Sequence, residues 1–362
     1  MIKDKITTAQ LAVTIVSVMV GVGILSYPGP VAEEAGVDGW IGIIISGIIS
    51  LFSSFLIISL GKKFQYQSLV DYGPKLVGRY INIIIMVCFI LYFLTFVSMV
   101  VRISADATKM FLLDQTPVEV ILLGILIMST YLVVHGINPI ARFNESLQPG
   151  IIFILIVVLL LTLKDADFGR NLPVLGDGVV PVMKSIPKIL FSFLGFELLF
   201  FLLPFLMDKG KVKRILSVGI IVVTLFYTFI MVLSISVLGH KEVVILEYPT
   251  IALVKNIEVP GTFIERLESI MMFVWIPFSV TTVVIFLYGA SLLTSGLLKL
   301  EEHRTVSLLL FPIVFLMAVL PENVLQVSYI AEKTSYAGIG LSFGLPLILW
   351  SIYGLKKGMK LL

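Results

Sequence analysis

Residues 21–28 read GVGILSYP, and this stretch decides the fold because it interrupts a helix within an apolar segment. Gly21 and Gly23 stand one residue apart, and Pro28 follows shortly after them. In a helix interior, glycine costs about 1 kcal/mol and proline about 3 kcal/mol relative to alanine. Non-helical backbone survives at membrane depth only where protein covers it or where it lines a cavity. The stretch therefore indicates either a helix broken at a binding site or close packing through small residues followed by a kink.

The composition of the whole chain indicates a membrane protein. Of its 362 residues, 58% are hydrophobic and only 14% are charged, and the mean hydropathy is +1.08. A soluble domain carries about 25% charged residues. A water-soluble fold of this size could not bury so much apolar surface, so we expect a single integral membrane domain over residues 1–362, in contact with lipid.

Apolar segments near the length of a membrane-crossing helix recur along the chain, since such a helix needs about 20 residues. They predict an all-α transmembrane fold, a bundle of ten helices. The first segment lacks a small-residue cleavage site, so we interpret it as a retained span rather than a signal peptide. The predicted spans are 9–32, 40–60, 81–104, 118–135, 147–163, 184–206, 213–238, 267–296, 305–320 and 336–355.

Charged residues in the predicted loops give an orientation. Lys and Arg concentrate in the cytoplasmic loops of membrane proteins. With a cytoplasmic N-terminus, 16 of the 26 basic residues fall in the inner segments, and 16 of the 23 acidic residues fall in the outer ones. This distribution predicts that both termini are cytoplasmic. Membrane topology thus accounts for the positions of the basic residues, and we infer no nucleic-acid binding from them.

The sixth span offers a counterpart to the first break. Gly195 lies in the middle of that span, Glu197 follows it, and Pro204 comes after both. Spans one and six begin on opposite sides, so they start two five-helix halves of inverted topology, residues 1–170 and 171–362. Interrupted helices at matching positions of inverted halves indicate a binding site at the membrane midplane. Opened helix ends attract a carboxylate or a cation, which suits a small zwitterion such as an amino acid.

Three loops are long enough to have structure of their own. The inner loop 62–80 mixes charged and apolar residues, which predicts an amphipathic piece at the membrane surface. The outer loop 164–183 is rich in Gly, Pro and Asp and should be irregular. The outer loop 239–266 contains an apolar stretch and predicts a short external helix.

Polar residues within the spans are the candidates for function. Glu197 is an acid at membrane depth, where a carboxylate is costly; it serves either as a proton-linked switch, a cation contact or part of a water path, or as a structural hydrogen-bond acceptor. Arg102 and Asp106 have the spacing of a helical ion pair, which is either solvated or part of an outer gate in which Arg102 meets a substrate carboxylate or Glu197. Tyr92 shares a helix face with Thr95, Met99 and Arg102, a face that either lines a pocket or packs.

Hydroxyls on span eight leave two alternatives. Ser279, Thr281 and Thr282 bind a ligand or an ion, or they hydrogen-bond to their own backbone, as is common in membrane helices. Cys88 is the one cysteine, and the three histidines are dispersed, so we expect neither a disulfide nor a metal site. We find no nucleotide-binding loop, zinc-protease motif or nucleophile elbow, so we expect no enzyme and no cofactor.

The stretch 21–28 resembles the first-helix motif of the amino acid–polyamine–organocation transporter superfamily. The whole chain is similar to one branch, the spore germination permease family, which comprises the B subunits of nutrient germinant receptors. The opening ITTAQ at 6–10, Ala35-Gly36, Asp38-Gly39-Trp40 and the proline-containing lead from Pro181 to Phe196 carry this resemblance. The resemblance implies an inverted five-plus-five repeat with helices 1 and 6 broken, an amino-acid-transporter-like fold.

The resemblance also implies a function. The chain would sense a small germinant, an amino acid in many cases, and trigger germination through A and C partner subunits in the bacterial spore inner membrane. Alternatives are a proton- or sodium-coupled amino acid transporter and a channel-forming or scaffolding subunit. The resemblance places a pocket between spans one, three, six and eight. With Val22 and Glu197 added, the predicted ligand-binding residues are Gly21, Val22, Gly23, Tyr92, Phe96, Leu194, Gly195, Glu197, Thr281, Thr282 and Tyr288.

Overall fold

The computed structural model describes residues 4–255, 267–300 and 302–359, and this part of the chain is helical. It contains no β-strand; an isolated bridge joins Ile6 to Leu206. The all-α prediction is confirmed.

The ten spans follow one another along the chain. Six helical stretches of the described residues are long and apolar enough to cross a membrane, and the two halves of span 6 form a seventh. Three shorter apolar helices complete the ten. The bounds are Thr8–Gly23 with Pro28–Ala35 (span 1), Gly39–Lys63 (span 2), Arg79–Phe111 (span 3), Val118–Val134 (span 4), Ile137–Leu161 (span 5), Val179–Ser192 with Phe196–Phe205 (span 6), Val212–Leu238 (span 7), Leu267–Leu298 (span 8), His303–Val319 (span 9) and Val324–Gly358 (span 10).

Spans 5 and 10 begin about three turns earlier than the sequence predicts. Span 5 begins at Ile137 rather than at 147, and span 10 begins at Val324 rather than at 336. Both early segments carry polar residues, which hide a helix from a search for apolar runs. The Asn323 side chain accepts a hydrogen bond from the Gln326 N–H at 2.9 Å and so caps the start of span 10.

The loops contain the predicted short elements. The predicted inner loop forms the helix Leu69–Val77, and the predicted outer loop after span 7 forms the helices His240–Ile245 and Pro249–Lys255. The loop before span 6 holds two single turns of 3₁₀-helix, Thr162–Asp165 and Phe168–Asn171. Residues 256–266, which complete the second outer loop, lie outside the described part of the chain.

Span 8 occupies the centre of the bundle. It packs against spans 1, 3, 4, 5 and 9, and 83% of its most apolar window is buried. Spans 1 and 6 also pack against each other. The two breaks therefore lie inside the protein, where covered non-helical backbone is tolerated.

Candidate ligand site

The break in span 1 is held by an external helix. The first half of the span ends at Gly23, and the second begins at Pro28. Between them, the Ile24 carbonyl accepts a hydrogen bond from the Thr250 hydroxyl at 2.7 Å. The Leu25 carbonyl accepts one from the Thr250 N–H at 3.3 Å. Thr250 thus replaces two hydrogen bonds of the kind that the interrupted helix loses.

The break in span 6 depends on a glycine. Its two halves, Val179–Ser192 and Phe196–Phe205, meet at an angle of 53°. Gly195 sits between them at φ +123°, a conformation that residues with a Cβ rarely adopt. A Cβ at this position would lie 2.4 Å from Cγ1 of Val18 in span 1. The close approach of the two broken spans therefore requires Gly195.

Glu197 is satisfied by neighbouring donors. Its side chain is fully buried. The Tyr92 hydroxyl donates to Oε1 at 2.8 Å, and the Gly195 N–H donates to Oε2 at 2.7 Å. Among the described residues no cation forms a salt bridge with Glu197. The carboxylate therefore fastens the break in span 6 to span 3.

Tyr227 of span 7 connects the two breaks. Its hydroxyl donates to the Met19 carbonyl of span 1 at 2.5 Å and reaches the Ser192 carbonyl of span 6 at 3.3 Å. The Tyr27 hydroxyl donates back to the Tyr227 carbonyl at 2.5 Å, and the two rings lie 4.8 Å apart. Tyr227 thus bonds to both broken helices from a third span.

A cavity of about 660 Å³ lies on the predicted outer side of the breaks. Gly23, Phe191 and Ser192 are among its lining residues and stand beside the two breaks. The Ser192 hydroxyl is fully buried and has no hydrogen-bond partner among the described residues. The walls are largely apolar and come from spans 1, 3, 8 and 10. They include Leu25, Tyr27, Ile103, Trp275, Val327 and Ile339.

The mouth of the cavity is acidic. Lys188, its one cationic residue, pairs with Glu33 at 3.1 Å and with Glu34 at 2.9 Å. Glu247 and Glu332 also line the mouth. Burial, reinforced by the neighbouring Glu247, raises the pKa of the Tyr248 hydroxyl above its usual range. A solute entering the cavity therefore meets carboxylates and a neutral phenol.

Gly23 is the one predicted ligand-binding residue that lines this cavity. Tyr92, Phe96, Leu194 and Glu197 lie buried in the neighbouring layer, with Gly195. Phe191 separates that layer from the cavity, since its ring also lies 6.4 Å from the Phe96 ring. The structure thus brings these residues together but covers them with an aromatic ring.

Gly21, Thr281 and Thr282 form a packing contact between spans 1 and 8. A Cβ on Gly21 would lie 2.3 Å from Oγ1 of Thr282. The hydroxyls of Thr281 and Thr282 both donate to the Phe278 carbonyl, at 2.7 and 2.9 Å. The Ser279 hydroxyl donates to its own helix as well. These hydroxyls therefore hydrogen-bond to their own helix backbone, which is the second of the two predicted alternatives. The side chain of Val22 lies outside the described part of the chain.

Tyr288 and Arg102 lie apart from the buried layer. The Tyr288 ring contacts the rings of Phe205 and His303, at 6.2 and 5.2 Å, near the other end of span 8. Arg102 pairs with Asp106 at 3.0 Å and also donates to two carbonyls at the end of span 9, at 2.8 and 3.0 Å. It does not meet Glu197, so the predicted outer gate between these two residues is not formed.

Sequence reasoning missed several residues at the site. Ser192 stands three residues before the predicted break, so its position was a usable signal. The sequence gives no signal for Phe191, Trp275 or Tyr227 at the site. Aromatic residues in an apolar helix indicate packing, and the sequence does not fix how each helix is rotated. The two Tyr side chains that bond to carbonyls across the bundle are 200 residues apart in sequence.

Comparison with known proteins gives the chain its family. The family model described as spore germination protein matches residues 5–327. Spore germination protein A2 of Bacillus subtilis (strain 168) is 33% identical, with 98% of this chain and 96% of that protein covered. Spore germination protein YndE of the same organism is 29% identical, with 98% of both chains covered.

Solved structures share the fold. The crystal structure of MhsT in complex with L-phenylalanine superposes with a TM-score of 0.71 at 13% identity, covering 97% of this chain and 89% of that one. The nucleobase-cation-symport-1 family transporter Mhp1, closed with bromovinylhydantoin bound, gives 0.65 at 14% identity, covering 96% and 78%. Both are transporters with broken helices. The bundle with helices 1 and 6 broken is therefore an inverted-repeat transporter fold, as predicted; the repeat boundaries at 170 and 171 stay a prediction.

The family is one of receptor and permease-like membrane proteins, not of enzymes. A match over nearly the whole chain to the family model, joined to full-length relatives and a transporter fold, leads to one conclusion. This integral membrane protein belongs to the spore germination protein family.

Proposed function

We propose that this chain is the germinant-sensing subunit of a spore nutrient receptor. It binds a small molecule, an amino acid, at the inner end of the outer cavity. Binding triggers germination through A and C partner subunits in the spore inner membrane, with both termini of this chain in the cytoplasm. The observation that carries the proposal is the cavity of about 660 Å³ that is lined by residues of both broken helices.

The inner end of the cavity offers polar contacts next to apolar walls. The unpartnered Ser192 hydroxyl and the side chain of Ser26, which also lines the cavity, supply hydrogen-bonding groups. Leu25, Phe191 and Trp275 supply apolar surface. Small-molecule sites combine mostly apolar walls with a few fixed polar groups. An amino acid with a modest apolar side chain has both halves of this chemistry.

Signalling would begin at Phe191. A ligand that displaces this ring would press on Phe96 and through it on Tyr92, whose hydroxyl holds Glu197. The predicted residues of this buried layer would then respond to the ligand instead of touching it. A change in the contact between spans 3 and 6 is the kind of change that partner subunits could detect.

A binding experiment tests the proposal. The purified protein would be titrated with a panel of amino acids, and its thermal midpoint would be followed. We expect one or a few to raise the midpoint in a saturable way, because a ligand that binds the folded state stabilises it. Ser192→Ala should weaken that response. The proposal would be contradicted if no amino acid of the panel gave a saturable shift and if the complex with the partner subunits also bound none of them.

The fold likeness to transporters favours a second candidate, a proton- or sodium-coupled amino acid transporter. Reconstitution in liposomes separates the two. Saturable uptake of a labelled amino acid that depends on a proton or sodium gradient would establish transport. Binding without uptake would support sensing alone.

A further inference from the structure

A second set of buried polar groups lies between spans 1 and 5, at the opposite end of the bundle from the cavity. Thr14, Asn144 and Gln148 are each at most 1% exposed. The Asn144 amide donates to the Thr14 hydroxyl at 3.2 Å. That hydroxyl donates to the Gln10 carbonyl at 2.8 Å. None of these residues belongs to the ligand site described above.

Three side-chain atoms in this set have no partner among the described residues. They are Oδ1 of Asn144 and both Oε1 and Nε2 of Gln148. Asn144 and Gln148 are four residues apart on one helix, so they share a face. Pro149 follows and has no N–H to give to the Glu145 carbonyl. A buried polar group without a partner costs about 1–3 kcal/mol, so this set calls for an occupant.

The chemistry of the set identifies that occupant. It offers acceptors from both amides and a donor from Gln148, and no charged side chain among the described residues joins them. An ion would lose its hydration without a compensating charge. Water both donates and accepts, and buried water makes about three hydrogen bonds to such groups. The set therefore suits water better than an ion or an apolar molecule.

A polar route leads from this set to the surface. The Gln10 side chain donates to the exposed Glu145 carboxylate at 2.8 Å. Thr14 lies one turn further along span 1, and Gln148 lies about one turn beyond Asn144 on span 5. At 1.5 Å per residue, Gln148 is roughly 16 Å from the start of its helix.

We propose that Thr14, Asn144 and Gln148 form a water-binding site that is reached from the end of the bundle opposite the cavity. Water there hydrates the seam between the first half of span 1 and span 5. The two helices can then separate without first exposing a dry apolar contact. This site does not depend on the proposed germinant, and its test uses no germinant.

Substituted cysteines test the proposal directly. The chain has one native cysteine, Cys88, which is exposed and would be replaced by alanine. In that background, Gln148→Cys, Asn144→Cys and Leu155→Cys would be treated in nanodiscs with a membrane-impermeant thiosulfonate reagent. Leu155 is the control, since it lies on the same face of span 5 at 1% exposure.

Because only a hydrated thiol ionises and reacts, we expect the cysteines at 144 and 148 to react about tenfold faster than the one at 155. Equal rates at all three positions would overturn the proposal. A second variant, Gln148→Leu, tests it without labelling. A hydrated site predicts a lower thermal midpoint, because the water network loses a member. A higher midpoint would show a dry site and would also overturn the proposal.

Discussion

The two helix breaks are alike in sequence but differ in what satisfies them. At the span 1 break, Thr250 of the helix Pro249–Lys255 donates hydrogen bonds to the Ile24 and Leu25 carbonyls. The backbone at this break lines the cavity. At the span 6 break, the Glu197 carboxylate of the same span accepts a hydrogen bond from the Gly195 N–H, and the Phe191 ring covers this region. The backbone of the first break thus lines the cavity, whereas residues 195–197 of the second form an internal joint beneath Phe191. A broken helix by itself therefore does not identify a binding surface. The hydrogen-bond partners of the backbone at the break distinguish a break that lines a cavity from one that is closed.

The largest effect should follow from filling the internal joint. Gly195→Ala places a Cβ 2.4 Å from the Val18 side chain at a φ of +123°. Strain and overpacking together should cost about 3 kcal/mol or more, so folded protein should be recovered poorly. Gly354→Ala in span 10 is the matched control, since its Cβ meets nothing within 4 Å. Monodisperse protein yield and the thermal midpoint measure both. Equal behaviour of the two variants would remove the special role of Gly195.

A smaller loss should follow from Glu197→Gln. The Tyr92 hydroxyl and the Gly195 N–H donate to different oxygens of the carboxylate, and an amide replaces one of these oxygens with an NH2 donor. One of the two donors therefore loses its acceptor at a cost of about 1–3 kcal/mol. The thermal midpoint should fall, and the germinant dose–response or its pH dependence should change. Tyr92→Phe removes one of the same hydrogen bonds, so the double variant should lose less than the sum of the two. Additive losses would show that the two residues act independently.

Loosening the ligand-facing break should change response more than stability. Thr250→Val removes the hydroxyl that donates to the Ile24 carbonyl and keeps the side-chain shape. We expect a stability loss of about 1 kcal/mol and a clear shift of the amino acid concentration needed for response. Thr228→Val is the control, because the Thr228 hydroxyl bonds only within its own helix. A shift of the same size in the control would contradict the role of Thr250.

The smallest structural effect, with a selective functional one, should follow from Ser192→Ala. Its hydroxyl is unpartnered, so removal should leave the thermal midpoint of the ligand-free protein unchanged or slightly higher. Loss of one hydrogen bond to ligand should weaken binding about 3- to 10-fold. Ser234 is also buried and unpartnered but does not line the cavity. Isothermal titration should therefore show full affinity for Ser234→Ala, and equal affinities in the two variants would exclude Ser192 as a contact.

The sequence predicts the architecture well because its signals are local. Apolar length, Gly and Pro placement and the resemblance at 21–28 together identify ten spans and both breaks. The starts of spans 5 and 10 escape this reasoning because polar residues occupy their first turns. Those residues are buried against neighbouring helices or exposed at the ends of the bundle, which composition cannot distinguish.

The candidate site is only partly predictable, since it depends on helix rotation. Gly23 lines the cavity, and Tyr92 and Glu197 lie in the buried layer beneath it; whether they act on a ligand stays a prediction. Tyr288 follows Thr281 by seven residues, which is about 10 Å along the helix. Its ring therefore lies beside Phe205 and His303 and away from the buried layer. Tyr227 reaches both breaks from span 7, a contact that tertiary packing alone creates.

The most direct test of the account is a structure of the protein with a bound amino acid. The amino acid that gives the largest thermal shift would be added at saturation before structure determination. We expect density for the amino acid in the cavity, in contact with Gly23 and Ser192 and with the Phe191 ring displaced. Density for the amino acid elsewhere, with this cavity unchanged, would contradict it.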